Sequence, residues 1–153
     1  MSKFKKIIFI DEGNTMLGPF AEALMRYKLA GLGINRVQIL SRGSVVLFPE
    51  PVNPKVNLIA GKKGISLSAH KASAIKESDF SESTLVLTLD EENKNRLYQK
   101  YTGAMNVFSL KSYLEKNGDI LPPIGGSIED YEQVCTQLEK LIDGLIEKEI
   151  MNQ

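Results

Sequence analysis

The run Ile7-Ile8-Phe9-Ile10, closed by Asp11 and followed by Glu12-Gly13-Asn14-Thr15-Met16-Leu17-Gly18-Pro19, constrains the fold of this chain more than any other stretch. Its four apolar residues are mostly β-branched and read as a buried parallel strand, and a helical pattern begins at Pro19 behind the Gly-Asn-Thr turn. A strand, a tight turn and a helix N-terminus aim successive backbone N–H groups and the positive end of a helix dipole at one point. Such a cradle holds a phosphate without any side chain. Chemistry on that phosphate asks for a nucleophile at the strand end and a guanidinium that grips the equatorial oxygens bidentately.

The rest of the chain alternates strand and helix. Phe20, Leu24 and Tyr27 recur at helical spacing to about Ala30, where Gly31 and Gly33 stop the helix. Val37 to Ser41 reads as the second strand. Val45 to Pro54 holds three of the six prolines and reads as a loop, ending where Asn53 caps a helix with Pro54 at its first position. That helix carries Val56, Ile59 and Ala60 inward and ends near Gly64. Thr84 to Leu89 is the clearest buried strand, Asp90 opens an acidic helix to about Tyr101, and Asn106 to Ser109 is the last strand. Ser127-Ile128-Glu129-Asp130 is a capping box for a final helix striped with Val134, Leu138, Leu141, Ile142 and Leu145.

This alternation predicts an α/β fold: a four-stranded parallel sheet with helices on both faces as a three-layer sandwich, and ligands beyond the carboxyl ends of the strands. Asp11, Glu12 and Asp90 fall at that edge. At 153 residues the chain reads as one domain, 1–153. Nineteen basic residues balance nineteen acidic ones, which leaves no global field to recruit nucleic acid or an anionic membrane. The basic start Met1-Ser2-Lys3-Phe4-Lys5-Lys6 precedes too short an apolar run for a signal peptide, and no stretch approaches the roughly 18 apolar residues of a membrane span. A cytoplasmic protein, monomeric or weakly dimeric, is expected. One cysteine, Cys135, excludes an intrachain disulfide, and its place on the face of Leu138 and Ile142 reads as a packed thiol.

The motif around the first turn resembles that of the low-molecular-weight protein tyrosine phosphatases and the arsenate reductases of the same fold. Their turn carries a nucleophilic cysteine, a Gly-Asn pair, then Cys-Arg-Ser-Pro and an Ala-Glu-Ala helix. This chain keeps Gly13-Asn14-Thr15, Pro19 and Ala21-Glu22-Ala23, and the resemblance, which spans nearly the whole chain, implies the family's fold with its strands in the order 2-1-3-4. By that resemblance Asp11 stands for the cysteine, Leu17 for the phosphate-gripping arginine and Gly18 for the serine that assists the thiolate. Asp11 to Gly18 is then a degenerate phosphate loop, or P-loop. The resemblance further implies a supporting set of Asn14, Ser41 and His70 under the turn, the histidine lying in an Ile-x-x-x-x-His-x-Ala segment from Ile65. It also makes Phe48, in the proline-rich loop, a candidate wall of the active-site mouth. Before the last helix the family has an Asp-Pro-aromatic-Gly loop whose aspartate protonates the leaving oxygen. Pro122 occupies that aspartate's place and Ile124 the aromatic's, with Asp119 three residues upstream.

With nucleophile, clamp and acid all replaced, the leading expectation is a catalytically inactive relative, a pseudophosphatase that binds a protein partner, with no cofactor and no metal. A second reading makes Asp11 a phosphoryl-accepting nucleophile, with Glu12 and Asp90 helping to hold magnesium. A third keeps the cradle as a reader of phosphorylated ligands without hydrolysis. If the turn keeps its shape, its N–H groups are expected to close on Asp11 as a built-in anion, favour its ionised form and lower its pKa, which weighs against the third reading.

Overall fold

In the computed structural model, which describes residues 3–152, four parallel strands form one sheet in the order β2-β1-β3-β4. Met1, Ser2 and Gln153, the outermost positions of the expected domain, lie outside the described residues. The strands are β1 (Lys6–Asp11), β2 (Gln38–Gly43), β3 (Thr84–Thr88) and β4 (Val107–Ser109). Five α-helices accompany them: α1 (Leu17–Gly31), α2 (Pro54–Lys62), α3 (Glu91–Lys100), the single turn α4 (Leu110–Tyr113) and α5 (Ile128–Ile146). The helical covering is the one expected from the alternating pattern, and the strand order is the one the family resemblance implies.

Alternate residues of the central strands feed two cores, as the two-residue period of a strand requires. Ile7 and Phe9 of β1 and Leu85 and Leu87 of β3 join the larger core, built with Phe20, Leu24 and Met25 of α1, Val56 and Ile59 of α2 and Leu138, Ile142 and Leu145 of α5. Ile8, Ile10 and Val86 face the other way, against Ile75, Leu97 of α3 and Val107. Each such fully buried side chain is worth about 1.5–3 kcal/mol of transfer free energy, so β1, wedged between β2 and β3, is the least movable part of the molecule. The turn that leaves it is therefore mounted on a rigid base.

Helix starts follow their caps. Asn53 Oδ1 accepts from Lys55 N at 2.9 Å, with Pro54 at the first helical position. Asp90 Oδ1 accepts from Asn93 N at 2.7 Å. Ser127 and Asp130 exchange both bonds of a capping box at the head of α5. Helix α1 is different: it begins at Leu17, two residues before the expected Pro19, and its N-cap Met16 offers no side-chain acceptor. The acceptor comes from the strand that precedes it. Among the described residues no helix is long and apolar enough to cross a membrane.

Candidate functional site

Asp11 ends β1 pointing into the turn. Its Oδ1 accepts from Asn14 N at 2.5 Å, and its Oδ2 accepts from Met16 N and Gly18 N, both at 3.1 Å. The carboxylate thus occupies the focus of the N–H groups, capping α1 with an anion where the helix dipole favours one. Only 8% of Asp11 is exposed. Burial pushes its pKa above the usual carboxylate range, outweighing the three N–H bonds that pull the other way and the attraction of His70. This corrects the expectation of a lowered pKa: the hydrogen bonds form as anticipated, but desolvation, which a sequence does not display, is the larger effect.

The supporting residues converge on Asn14. This residue is fully buried in the left-handed region, at φ 58°, a conformation that asparagine tolerates better than most side chains. Asn14 Nδ2 donates to Ser41 Oγ at 3.1 Å, and Asn14 Oδ1 accepts from Ser73 N at 2.9 Å. His70 Nε2–H donates to Asn14 O at 2.7 Å. Ser41 in turn donates to Glu22 Oε1 at 2.7 Å, a link not anticipated from the sequence, although Glu22 lies in the Ala-Glu-Ala motif. Gly43 lets β2 approach the turn: a β-carbon there would fall 2.9 Å from Glu12 O and 3.0 Å from Asn14 N.

Leu17 does not replace a ligand-facing arginine in kind. It borders the cavity before the turn yet is 0% exposed and part of the larger core. Gly18 abuts the Asp11 carboxyl, and a β-carbon on it would lie 3.1 Å from Asp11 Cγ. Thr15 and Met16 line the cavity with Asp11, Glu12 and Gly13. Phe48 is 60% exposed and borders a shallow hollow shared with Gly13, so it stands beside the turn and not under its own loop.

The cavity before the turn measures about 300 Å³ and is closed on its far side by Pro122 and Ile124. Its ionisable lining is Asp11, Glu12, Asp90 and Glu92, with no Lys, Arg or His. Glu92 was not singled out from the sequence; its place in the first turn of α3, two residues after Asp90, was the available signal. Asp119 is held elsewhere, its Oδ1 accepting from Glu91 N at 3.1 Å. Glu12 pairs with Arg96 at 3.1 Å, and both Asp90 oxygens accept from Asn93. Those engagements do not fit the magnesium site of the second reading, and among the described residues no group of three or more His, Cys, Asp or Glu is placed to hold a metal ion.

Residues 6–153 match the family described as low molecular weight phosphotyrosine protein phosphatase. The chain belongs to that family. It is 32% identical over 146 residues to a protein-arginine-phosphatase of Geobacillus stearothermophilus, covering 94% of this chain and 95% of that protein. It is 31% identical over 140 residues to the low molecular weight protein-tyrosine-phosphatase PtpB of Staphylococcus haemolyticus, covering 92% and 96%. Among solved structures it is similar to the YwlE arginine phosphatase in a cysteine-to-serine form with a phosphorylated active-site serine, at a TM-score of 0.87, 32% identity and 94% coverage of both chains. These matches correct the expectation, drawn from Asp11, Leu17 and Pro122, that the chain leans away from being an enzyme. The relatives aligned along nine-tenths of it are named phosphatases. Three side chains in two loops weighed too heavily against the scaffold that carries them.

Proposed function

We propose that the chain is a protein phosphatase that uses Asp11 as phosphoryl acceptor and acts on phosphorylated guanidinium side chains. The observation that carries this reading is the Asp11 carboxylate held at the focus of the Asn14, Met16 and Gly18 N–H groups. The phosphorylated serine of the YwlE variant supports it as an example of an oxygen nucleophile taking a phosphoryl group on this fold. Asp11 Oδ2 attacks phosphorus, the P–N bond breaks, and the N–H groups pass from the carboxylate to the phosphoryl oxygens. The departing guanidine takes up a proton. Water then cleaves the acyl phosphate, releasing inorganic phosphate and restoring the carboxylate. Burial that raises the Asp11 pKa makes its ionised form a more basic, stronger nucleophile.

The substrate class follows from charge. An aryl phosphate dianion entering the cavity meets Asp11, Glu12, Asp90 and Glu92, and Arg96, which pairs with Glu12 and Glu92 from outside the lining, leaves Asp11 and Asp90 without a cation of their own. A phosphoguanidinium brings its own delocalised cation next to the phosphoryl group and sets it against those carboxylates, supplying the positive charge that Leu17 does not. Ile124 and Pro122 give the cavity apolar lining, and Phe48 borders the separate hollow that reaches Gly13. The arginine phosphatases among the relatives support the same class.

The test is phosphate release from a phosphoarginine peptide, followed by ³¹P NMR beside p-nitrophenyl phosphate, with hydroxylamine trapping of the acyl phosphate. Release that prefers phosphoarginine and is lost in Asp11→Asn is expected. No release above buffer, or release that survives Asp11→Asn, overturns the reading.

A further inference from the structure

A second cavity, of about 660 Å³, shares no lining residue with the first. Its charge is the reverse: Arg26, Arg42 and Lys71 line it with His70, against one carboxylate, Glu22. Glu22 is already engaged, one oxygen on Arg26 Nη2 at 3.0 Å and the other on Ser41. Arg42 Nη1 donates to Ser41 O at 2.7 Å, while its Nε is buried and has no acceptor among the described residues. Neither Arg42 nor Lys71 meets a carboxylate among the described residues. Such a concentration of unneutralised cations in a concave site calls for an anion.

The remaining lining is apolar and flat in part. Tyr27, 58% exposed, presents a ring to the cavity, with Pro19, Ala23 and Ile65 beside it. The volume lies in the range of small-molecule sites, and an aromatic wall beside a cationic one suits a ligand with a planar body and an anionic end. We propose that this cavity binds a phosphate-bearing small molecule of nucleoside monophosphate size, its phosphate on Arg42 and Lys71 and its planar part against Tyr27. The ligand reports to the turn through residues that belong to both. Ser41 and His70 line the cavity and hydrogen-bond Asn14, the residue on which the Asp11–Gly18 turn is mounted. Occupancy that fixes Ser41 and His70 therefore fixes the turn, whatever chemistry Asp11 performs.

The experiment is a ¹⁵N NMR titration of the whole protein with AMP at constant ionic strength, with inorganic phosphate and adenosine as separate arms. Saturable shifts at Ser41, Arg42 and Lys71 that extend to Asn14 are expected, with AMP binding about tenfold tighter than either part. Lys71→Gln, at an exposed position that folding does not need, weakens binding by about tenfold, and Arg42→Gln abolishes it. Asp11→Asn still binds AMP saturably, with shifts at Arg42 and Lys71, which separates this site from the turn. Absence of saturation, shifts confined to residues 11–18, an unaltered affinity in Lys71→Gln, or adenosine binding as well as AMP overturns the proposal.

Discussion

Gly18 N donates to Asp11 Oδ2 at 3.1 Å, and a β-carbon on Gly18 would lie 3.3 Å from that same oxygen. A carboxylate at position 11 and a bare backbone at position 18 are thus one fitted pair. Gly18→Ala gains helix propensity of about 1 kcal/mol but crowds a side chain pinned by three N–H bonds, and overpacking of this kind costs about 1–3 kcal/mol. Net destabilisation of about 1 kcal/mol is expected. In an Asp11→Ala background the crowding vanishes and the same substitution stabilises. A thermal-melt double-mutant cycle showing no coupling would refute the fit.

Asn14→Ala takes the Nδ2 donor from Ser41 Oγ, which keeps Glu22, takes the acceptor from Ser73 N, and forces alanine to φ 58°. The expected cost is about 2–4 kcal/mol, or about 5–15 °C in Tm, since each lost hydrogen bond costs about 0.5–1.5 kcal/mol and a non-glycine residue held at positive φ about 1–3 kcal/mol. His70→Ala should cost less, because His70 gives Asn14 a single hydrogen bond and itself lines the open second cavity. Equal losses for the two would show that Asn14 is not the centre of the support.

Much of this arrangement was readable from the chain. The apolar run Ile7–Ile10, the Asn53, Asp90 and Ser127 caps and the stripe on α5 each follow local rules of period and capping, their alternation gives a parallel sheet covered on both faces, and the strand order rests on the family resemblance. The turn α4, the 3-10 turn Glu77–Asp79 and the π-helical turn Glu147–Met151 were not foreseen, being too short to show a period. Helix α1 starts early because a residue outside it, Asp11, satisfies the N–H groups of Met16 and Gly18, and that is a tertiary fact. The charge of the front cavity needed Glu92 and Glu12 in one place, and the second cavity needed β2, α1 and the 64–71 segment together. Neither set is contiguous in sequence, so neither could be seen there.

Acidification should favour the wild-type turn. The folded-state pKa of Asp11 lies above its unfolded value of 3.8, so its contribution to stability is fully present below that value and is lost as pH rises through the raised folded pKa. Asp11→Asn does not titrate. The Tm of the wild type minus that of Asp11→Asn should therefore shift in favour of the wild type as pH falls from about 7 to about 4. Calorimetry at several pH values checks the sign, and a shift toward the variant would mean that the N–H bonds outweigh burial after all.

Thiol chemistry should have no hold on this protein. Cys135 is 1% exposed among Leu138, Leu141 and Ile142 of the larger core, and burial, partly offset by Lys63, pushes its pKa up to about 12. At pH 8 only about one molecule in 10,000 then carries the thiolate that alkylating agents attack, before any allowance for access. Iodoacetamide should leave the native protein unmodified by mass spectrometry and modify it fully in denaturant. The same reagent should leave phosphate release from phosphoarginine at its starting rate, because the proposed acceptor is an oxygen of Asp11 and the sole sulfhydryl lies within α5. Cys135→Ala should keep that rate too, at a cost of about 1 kcal/mol in stability for the vacated volume. Rapid alkylation of the native chain with parallel loss of release would move the nucleophile from Asp11 to Cys135 and overturn the acyl-phosphate step.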